Sequence, residues 1–227
     1  MEFGTFSIVA RSKRTGEFGG ATTTAVPCVG AFLPWVEEGV GAIATQAWVN
    51  VNLGYQGLEL LRSGLGVKAA MEALLSQDPG RERRQVVAID RESVFGFTGE
   101  ECTDFKGHIL GDDFSVAGNI LTRKSVLDKM ASDFRRSKGE LGSRLISALE
   151  AGQEAGGDKR GKMSAVLLVA SPKPRMYHDI RVDYHAEPLR ELRKIYDTCL
   201  RMEGENETED EDERGEILRL KVTRVQK

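Results

Sequence analysis

Most readily recognised chemistries find no support in this sequence. Its 227 residues hold three cysteines, Cys28, Cys102 and Cys199, an odd number at wide spacing. A disulfide framework is therefore not expected, and reduced thiols in a cytoplasm fit better. Histidine is equally scarce: His108, His178 and His185 stand at no ligand spacing to one another or to a cysteine, which argues against a metal site. No glycine-rich phosphate loop, dinucleotide fingerprint or G-x-S-x-G elbow occurs, so no cofactor is expected. No apolar run reaches the roughly 18 residues that a membrane span needs. The N-terminus lacks a basic region followed by an apolar one, so no secretory signal is expected either. A dominant charge is also missing. The net charge of −3 gives no basis for nucleic acid or an anionic membrane as a partner.

What is present is ordinary globular material, 40% hydrophobic and 30% charged. A chain of this length buries roughly 70% of its unfolded surface and folds without disulfides or structural metal. The first third reads as strands. FSIVAR alternates Phe6, Ile8 and Ala10 against Ser7, Val9 and Arg11, with Thr5 at the strand's first position. RTGE is a turn and FGGATTTAV a second strand; VGAFL and GVGAIATQA read as two short buried strands joined across Pro34 to Gly39. The period then changes to helical in YQGLELLRSG and GVKAAMEALLSQ. RQVVAID with SVFGFTG, and HILGDDFSVAGNIL, read as paired strands. SVLDKMASDFRR and ELGSRLISALEAG are amphipathic helices, MSAVLLVASP is a buried strand, RVDYH a short one, and EPLRELRKIYDTCLRM a final helix with Pro188 in its first turn. Runs of strands and runs of helices in succession predict an α+β fold with antiparallel sheets and segregated helices: two sheets between two helix layers.

Residues 1–202 are expected to form this one domain. Glu203 to Glu213 (EGENETEDEDE) is almost wholly acidic and polar, and a disordered, dispensable linker is expected over 203–215. EILRLKVTRVQK then alternates like a strand, so residues 216–227 are expected to be a tail that pairs with a sheet edge or stays unpaired.

Candidate functional residues are polar side chains set among small residues at strand ends. They are Thr45 and Gln46 in ATQ, Asn119 in AGN, and Asp158, Arg160 and Ser164 in GGDKRGKMSA. Taken singly, each also fits a strand cap, a turn or a surface ion pair.

Together, FSIVAR, GAIATQAW, GHILGDDFSVAGNIL, AGQEAGGDKRGKMSAVLLV and DIRVDYH resemble a bacterial and archaeal family catalogued only as a domain of unknown function, DUF1028. The likeness runs from about Thr5 to about Leu200. That family resembles the N-terminal nucleophile (Ntn) hydrolases, which implies a four-layer αββα sandwich. Its members typically begin Met-Thr-Phe-Ser-Ile, and Thr5 is the matching residue, preceded here by Glu2, Phe3 and Gly4.

Two functions follow. In the first, the chain is an Ntn-type amidohydrolase whose Thr5 hydroxyl attacks an amide carbonyl of a small polar substrate while its own α-amine takes the proton. That amine exists only once Met1 to Gly4 is removed, and a Gly-Thr bond suits self-cleavage, as in the similar proteasome precursors. Asn119 is then expected to stabilise the oxyanion, Arg160 to grip a substrate carboxylate, and Asp158 to orient Arg160 or the Thr5 amine. Thr45, Gln46 and Ser164 are expected to line the substrate site. In the second, the same fold is a non-catalytic ligand-binding or assembly module. A small-molecule substrate or ligand is the expected partner, and the sequence leaves homo-oligomerisation open.

Overall fold

The computed structural model describes residues 2–206. The chain starts as β1 (Glu2–Phe3), continues as β2 (Thr5–Ser12) and returns as β3 (Glu17–Thr24). A single 3-10 turn, Val29–Ala31, leads to β4 (Trp35–Glu37) and β5 (Gly41–Trp48). The helices α1 (Asn52–Arg62) and α2 (Val67–Gln77) follow. Next come β6 (Arg84–Ile89), β7 (Val94–Thr98), β8 (Gly107–Leu110) and β9 (Phe114–Asn119). The helices α3 (Ser125–Arg136) and α4 (Leu141–Glu154) precede β10 (Ser164–Ala170), β11 (Asp179–Val182) and α5 (Pro188–Asn206).

The strands form two antiparallel sheets. One has the order β1-β5-β6-β7, with β4 also on β5; the other has the order β11-β10-β3-β2-β9-β8. β1 and β4 share one edge of β5 at opposite ends, since β4 takes Gly41 to Ile43 and β1 takes Ala47 and Trp48.

Alternation along each strand decides the layering. On β2, Phe6, Ile8 and Ala10 point into a core with Met130, Leu145, Leu149 and Tyr196 of α3, α4 and α5. Val9, on the opposite face, packs between the sheets with Ala44, Val87, Ala117 and Val166. Ile43, Val86 and Ala88 on the far face of the first sheet meet Leu58, Leu61 and Met71 of α1 and α2. Fully burying an apolar side chain such as Phe6 or Ile43 contributes roughly 1.5–3 kcal/mol, so a one-residue register slip in β2 or β5 would be strongly unfavourable. Helix α4 lies close on β2: a Cβ on Gly152 would stand 2.7 Å from Met130 Cγ and 3.2 Å from Phe6 Cε2.

Two sequence expectations are corrected. VGAFL is not a strand; Val29–Ala31 is a 3-10 turn preceded by Cys28 with φ 59°, and the Val29 N–H donates to Ser164 Oγ instead of to a neighbouring strand. The final helix also runs through Glu203 to Asn206, into the segment expected to be linker. Glu203 is tied down there, because its Oε1 accepts the Met176 N–H at 2.7 Å and its Oε2 lies 3.6 Å from Arg175 Nη1. The rest of the expected linker and the expected tail strand lie outside the described residues.

Candidate functional site

At the end of the second sheet where β2 begins, four polar residues form a row across four strands. Asn119 of β9, Thr5 of β2, Thr24 of β3 and Ser164 of β10 are successive cross-strand partners. Directly opposed residues share a face, and by alternation this face is that of Val9, Ala117 and Val166, which looks towards the other sheet. All four are buried. One step along, Ser7 and Thr22 continue the polar row.

The first sheet answers with two buried glutamines. Ser7 Oγ donates to Gln46 Oε1 at 2.5 Å and receives the Thr22 hydroxyl at 2.9 Å. Gln46 Nε2 donates to the Thr5 carbonyl at 3.2 Å and to Gln85 Oε1 at 2.7 Å. Gln85 Oε1 also accepts from Asn119 Nδ2, and its Nε2 faces Thr98 Oγ1, Gly107 O and Gly118 O at 2.9–3.0 Å. Thr98 Oγ1 lies 2.9 Å from His108 Nδ1, and burial holds the His108 pKa below its ordinary value, which favours the neutral ring. A continuous polar seam thus joins the sheets beneath Thr5.

Gly4 is the crossing between sheets, since β1 pairs with β5 while β2 pairs with β3 and β9. Its carbonyl oxygen accepts from Thr24 Oγ1 at 2.5 Å and from Arg160 Nη2 at 2.9 Å. Arg160 is oriented by Asp158, whose wholly buried carboxylate accepts from Arg160 Nε at 3.2 Å, Nη2 at 2.9 Å and the backbone N–H at 2.8 Å. Position 4 favours glycine, because a Cβ there would stand 2.5 Å from Arg160 Nη2 and 2.8 Å from Asp158 Oδ2, so that this pair would have to shift.

The backbone is strained beside this site. Ala47 (φ 64°) follows Gln46 and Ile120 (φ 52°) follows Asn119, both in the left-handed region. For a β-branched residue this is a marked outlier. It is held by the Ile120 N–H bonding Thr103 O and the Ile120 carbonyl accepting the Lys159 N–H, and Leu121 bridges to Asp158. The same clamp brings the Asp158 loop to the end of β9. Such strain concentrates at functional sites.

The fold therefore gathers Thr5, Asn119, Gln46, Asp158 and Arg160 at one place. Thr45 is not among them. It shares the parity of Ile43 and faces α1 and α2, and among the described residues its buried hydroxyl has no hydrogen-bond partner. Ser164 is in the row but committed: its Oγ donates to Val26 O at 2.6 Å and accepts the Val29 N–H at 3.2 Å, which fixes the loop after β3. Arg160 grips the Gly4 carbonyl and Asp158 rather than standing ready for a substrate carboxylate. The Gly4 carbonyl is held by Thr24, which sequence reasoning passed over along with Ser7, Thr22 and Gln85. Period-two counting from Thr5 through Ser7, and the uncharged polar Gln85 ahead of the apolar run in RQVVAI, were the available signals. Two cavities among the described residues, about 350 Å³ by Glu17, Glu140 and His178 and about 580 Å³ along α5, are not lined by Thr5.

Fold and site define an α+β protein with, among the described residues, two antiparallel sheets, five α-helices and a buried polar seam at the start of β2. The chain belongs to the family of unknown function DUF1028, whose match covers residues 5–192 and so begins at Thr5. The crystal structure of protein SPO2555 from Silicibacter pomeroyi is similar, at 35% identity and TM-score 0.80, covering 86% of this chain and 88% of that one. Anbu (ancestral beta-subunit) from Yersinia bercovieri aligns over 86% of this chain and 94% of that one, at 8% identity and TM-score 0.40. No curated protein matches the chain. Among the described residues no helix is long and apolar enough to cross a membrane.

Proposed function

We propose that this chain is an N-terminal-nucleophile amidohydrolase on the αββα sandwich of that class, with Thr5 as nucleophile and its own Gly4–Thr5 bond as first substrate. The observation that carries the reading is the Gly4 carbonyl, gripped by Thr24 Oγ1 and Arg160 Nη2 immediately before a buried threonine. In the first step Thr5 Oγ1 attacks the Gly4 carbonyl carbon, and the oxygen, becoming an oxyanion, takes stronger hydrogen bonds from those same two donors. The C–N bond breaks, the nitrogen takes up the proton that the Thr5 hydroxyl gives up and becomes the α-amine, and Gly4 is left as an ester on Oγ1. Water hydrolyses the ester, releasing Met1 to Gly4 as a carboxylate and restoring the hydroxyl. The new amine, with an ordinary pKa of about 7.7–8.0, then serves as base for the hydroxyl when an external amide enters. Asn119 lies directly across from Thr5 on β9, and its Nδ2 donates to Gln85 Oε1, which ties the strand beside Thr5 to the polar seam.

The non-catalytic reading is favoured by the buried, peptide-bonded state of Thr5 with β1 in place. One series of proteins separates the two. The 227-residue chain is followed by intact mass, beside a chain starting Met-Thr5, and both are assayed on a panel of small amides. Loss of Met1 to Gly4, hydrolysis by molecules with a free Thr5 amine, and inactivity of Thr5→Ala are expected. Thr24→Val should slow self-cleavage roughly 100- to 1,000-fold, as loss of one oxyanion donor does. A 227-residue chain that stays intact beside a Met-Thr5 chain equally inert on the panel would overturn the enzyme reading.

A further inference from the structure

β1 is short, yet it occupies a defined slot. Glu2 opposes Trp48 and Phe3 opposes Ala47 on the edge of β5 that β4 leaves uncovered. An extended chain enters along that edge, turns inward at Gly4, and presents the Gly4 carbonyl to Thr24 and Arg160 at the start of β2. Once Met1 to Gly4 has gone, the place that β1 takes beside Ala47 and Trp48 is vacated, and a strand position of that kind is what a peptide occupies when it binds as an added strand.

We infer that this slot, resting on the hydrolase reading above, selects the substrate: an extended peptide segment whose acyl residue is glycine, followed by the amide bond to be cut. The glycine requirement comes from the Asp158–Arg160 pair. A Cβ on the acyl residue would stand 2.8 Å from Asp158 Oδ2 and 2.5 Å from Arg160 Nη2. The Asp158 carboxylate is wholly buried and holds Arg160 through two side-chain contacts and its backbone N–H, so it has little room to yield. Arg160, 35% exposed, is the part that gives way if anything does. Glycine at the acyl position is thus chosen by the group that also polarises its carbonyl. Residues before it are read through backbone pairing to β5, which tolerates varied side chains.

The test uses the chain starting Met-Thr5, with a free Thr5 amine confirmed by mass. Acetyl-Glu-Phe-Gly aminocoumarin amide is compared with the same compound carrying Ala or Val in place of Gly. Binding is measured separately, by fluorescence anisotropy of labelled Glu-Phe-Gly and Glu-Phe-Ala peptides on the uncleaving Thr5→Ala form of the same chain. The glycine substrate is expected to exceed alanine at least tenfold in kcat/KM, and valine further. The peptides should show the same order of binding, and Arg160→Ala should shrink the glycine-to-alanine ratio towards one. Hydrolysis with glycine and alanine equal within about twofold would overturn the specificity while leaving the hydrolase reading standing. Glycine-selective binding without any hydrolysis would support the slot and sink the hydrolase. Neither binding nor hydrolysis of any of these compounds would overturn the slot as well.

Discussion

Gln85→Met removes the central member of the polar seam while nearly preserving volume. Among the contacts of Gln85 are five of hydrogen-bond length: Gln46 Nε2 and Asn119 Nδ2 donate to its Oε1, and its Nε2 faces Thr98 Oγ1, Gly107 O and Gly118 O. Two hydrogens on Nε2 cannot fully serve three acceptors, so about four bonds at roughly 1 kcal/mol each are lost. Methionine recovers about 1 kcal/mol by its more favourable burial. A net loss of about 3 kcal/mol is expected, read as a lower urea midpoint with unchanged slope. Since the seam joins β5, β6 and β9, hydrogen exchange should also accelerate in Gln46 to Trp48 and Ala117 to Asn119, beyond the global change. A variant within 1 kcal/mol of the parent, with those amides still protected, would refute the idea that Gln85 holds the two sheets in register.

Thr45→Val replaces a buried hydroxyl that has no partner among the described residues. It is expected to be neutral or to stabilise by up to about 1 kcal/mol, raising Tm by a few degrees; a loss above 1 kcal/mol would show that the hydroxyl is satisfied in solution. Asp78 is held down to about pKa 2, first by its hydrogen bond from Arg84 and also by Asn50 and the Gly80 N–H. A depressed carboxylate stabilises above its unfolded pKa and loses that contribution as pH falls through the folded value, here between about pH 4 and pH 2. Asp78→Asn should therefore cost about 2 kcal/mol at pH 7, and the gap between variant and parent should close by pH 2. A gap independent of pH would sink this account.

Much of the fold was legible because alternation and helical spacing are strong where one face is apolar. The strands from FSIVAR and MSAVLLVASP and the helices from SVLDKMASDFRR and ELGSRLISALEAG stand where their patterns put them. VGAFL misled because apolarity alone does not distinguish a strand from a turn packed on one, and the N–H that decides it is met by Ser164, 135 positions away in sequence. Thr45 and Gln46 are adjacent, so in a strand they necessarily face opposite layers. Grouping them by proximity in sequence placed one on the wrong side. Gln85 stands out as a polar residue in an apolar strand, but its role and that of Thr24 depend on which strands become neighbours across the sheet gap, and the sequence of a single strand does not carry that pairing.

β1 and β2 are consecutive in the chain but belong to different sheets, so the Gly4 peptide unit is also a covalent tether across the gap between them. While it is intact, β1 is presented to β5 at the effective concentration of an intramolecular partner, on the order of millimolar for a short link. No free peptide in a dilute mixture competes with that. Cutting the bond turns the same residues into one solute among many, free to diffuse away at no cost in covalent strain. A single scission thus converts a self-occupied edge into a vacant one, and makes its occupancy a matter of ambient peptide concentration.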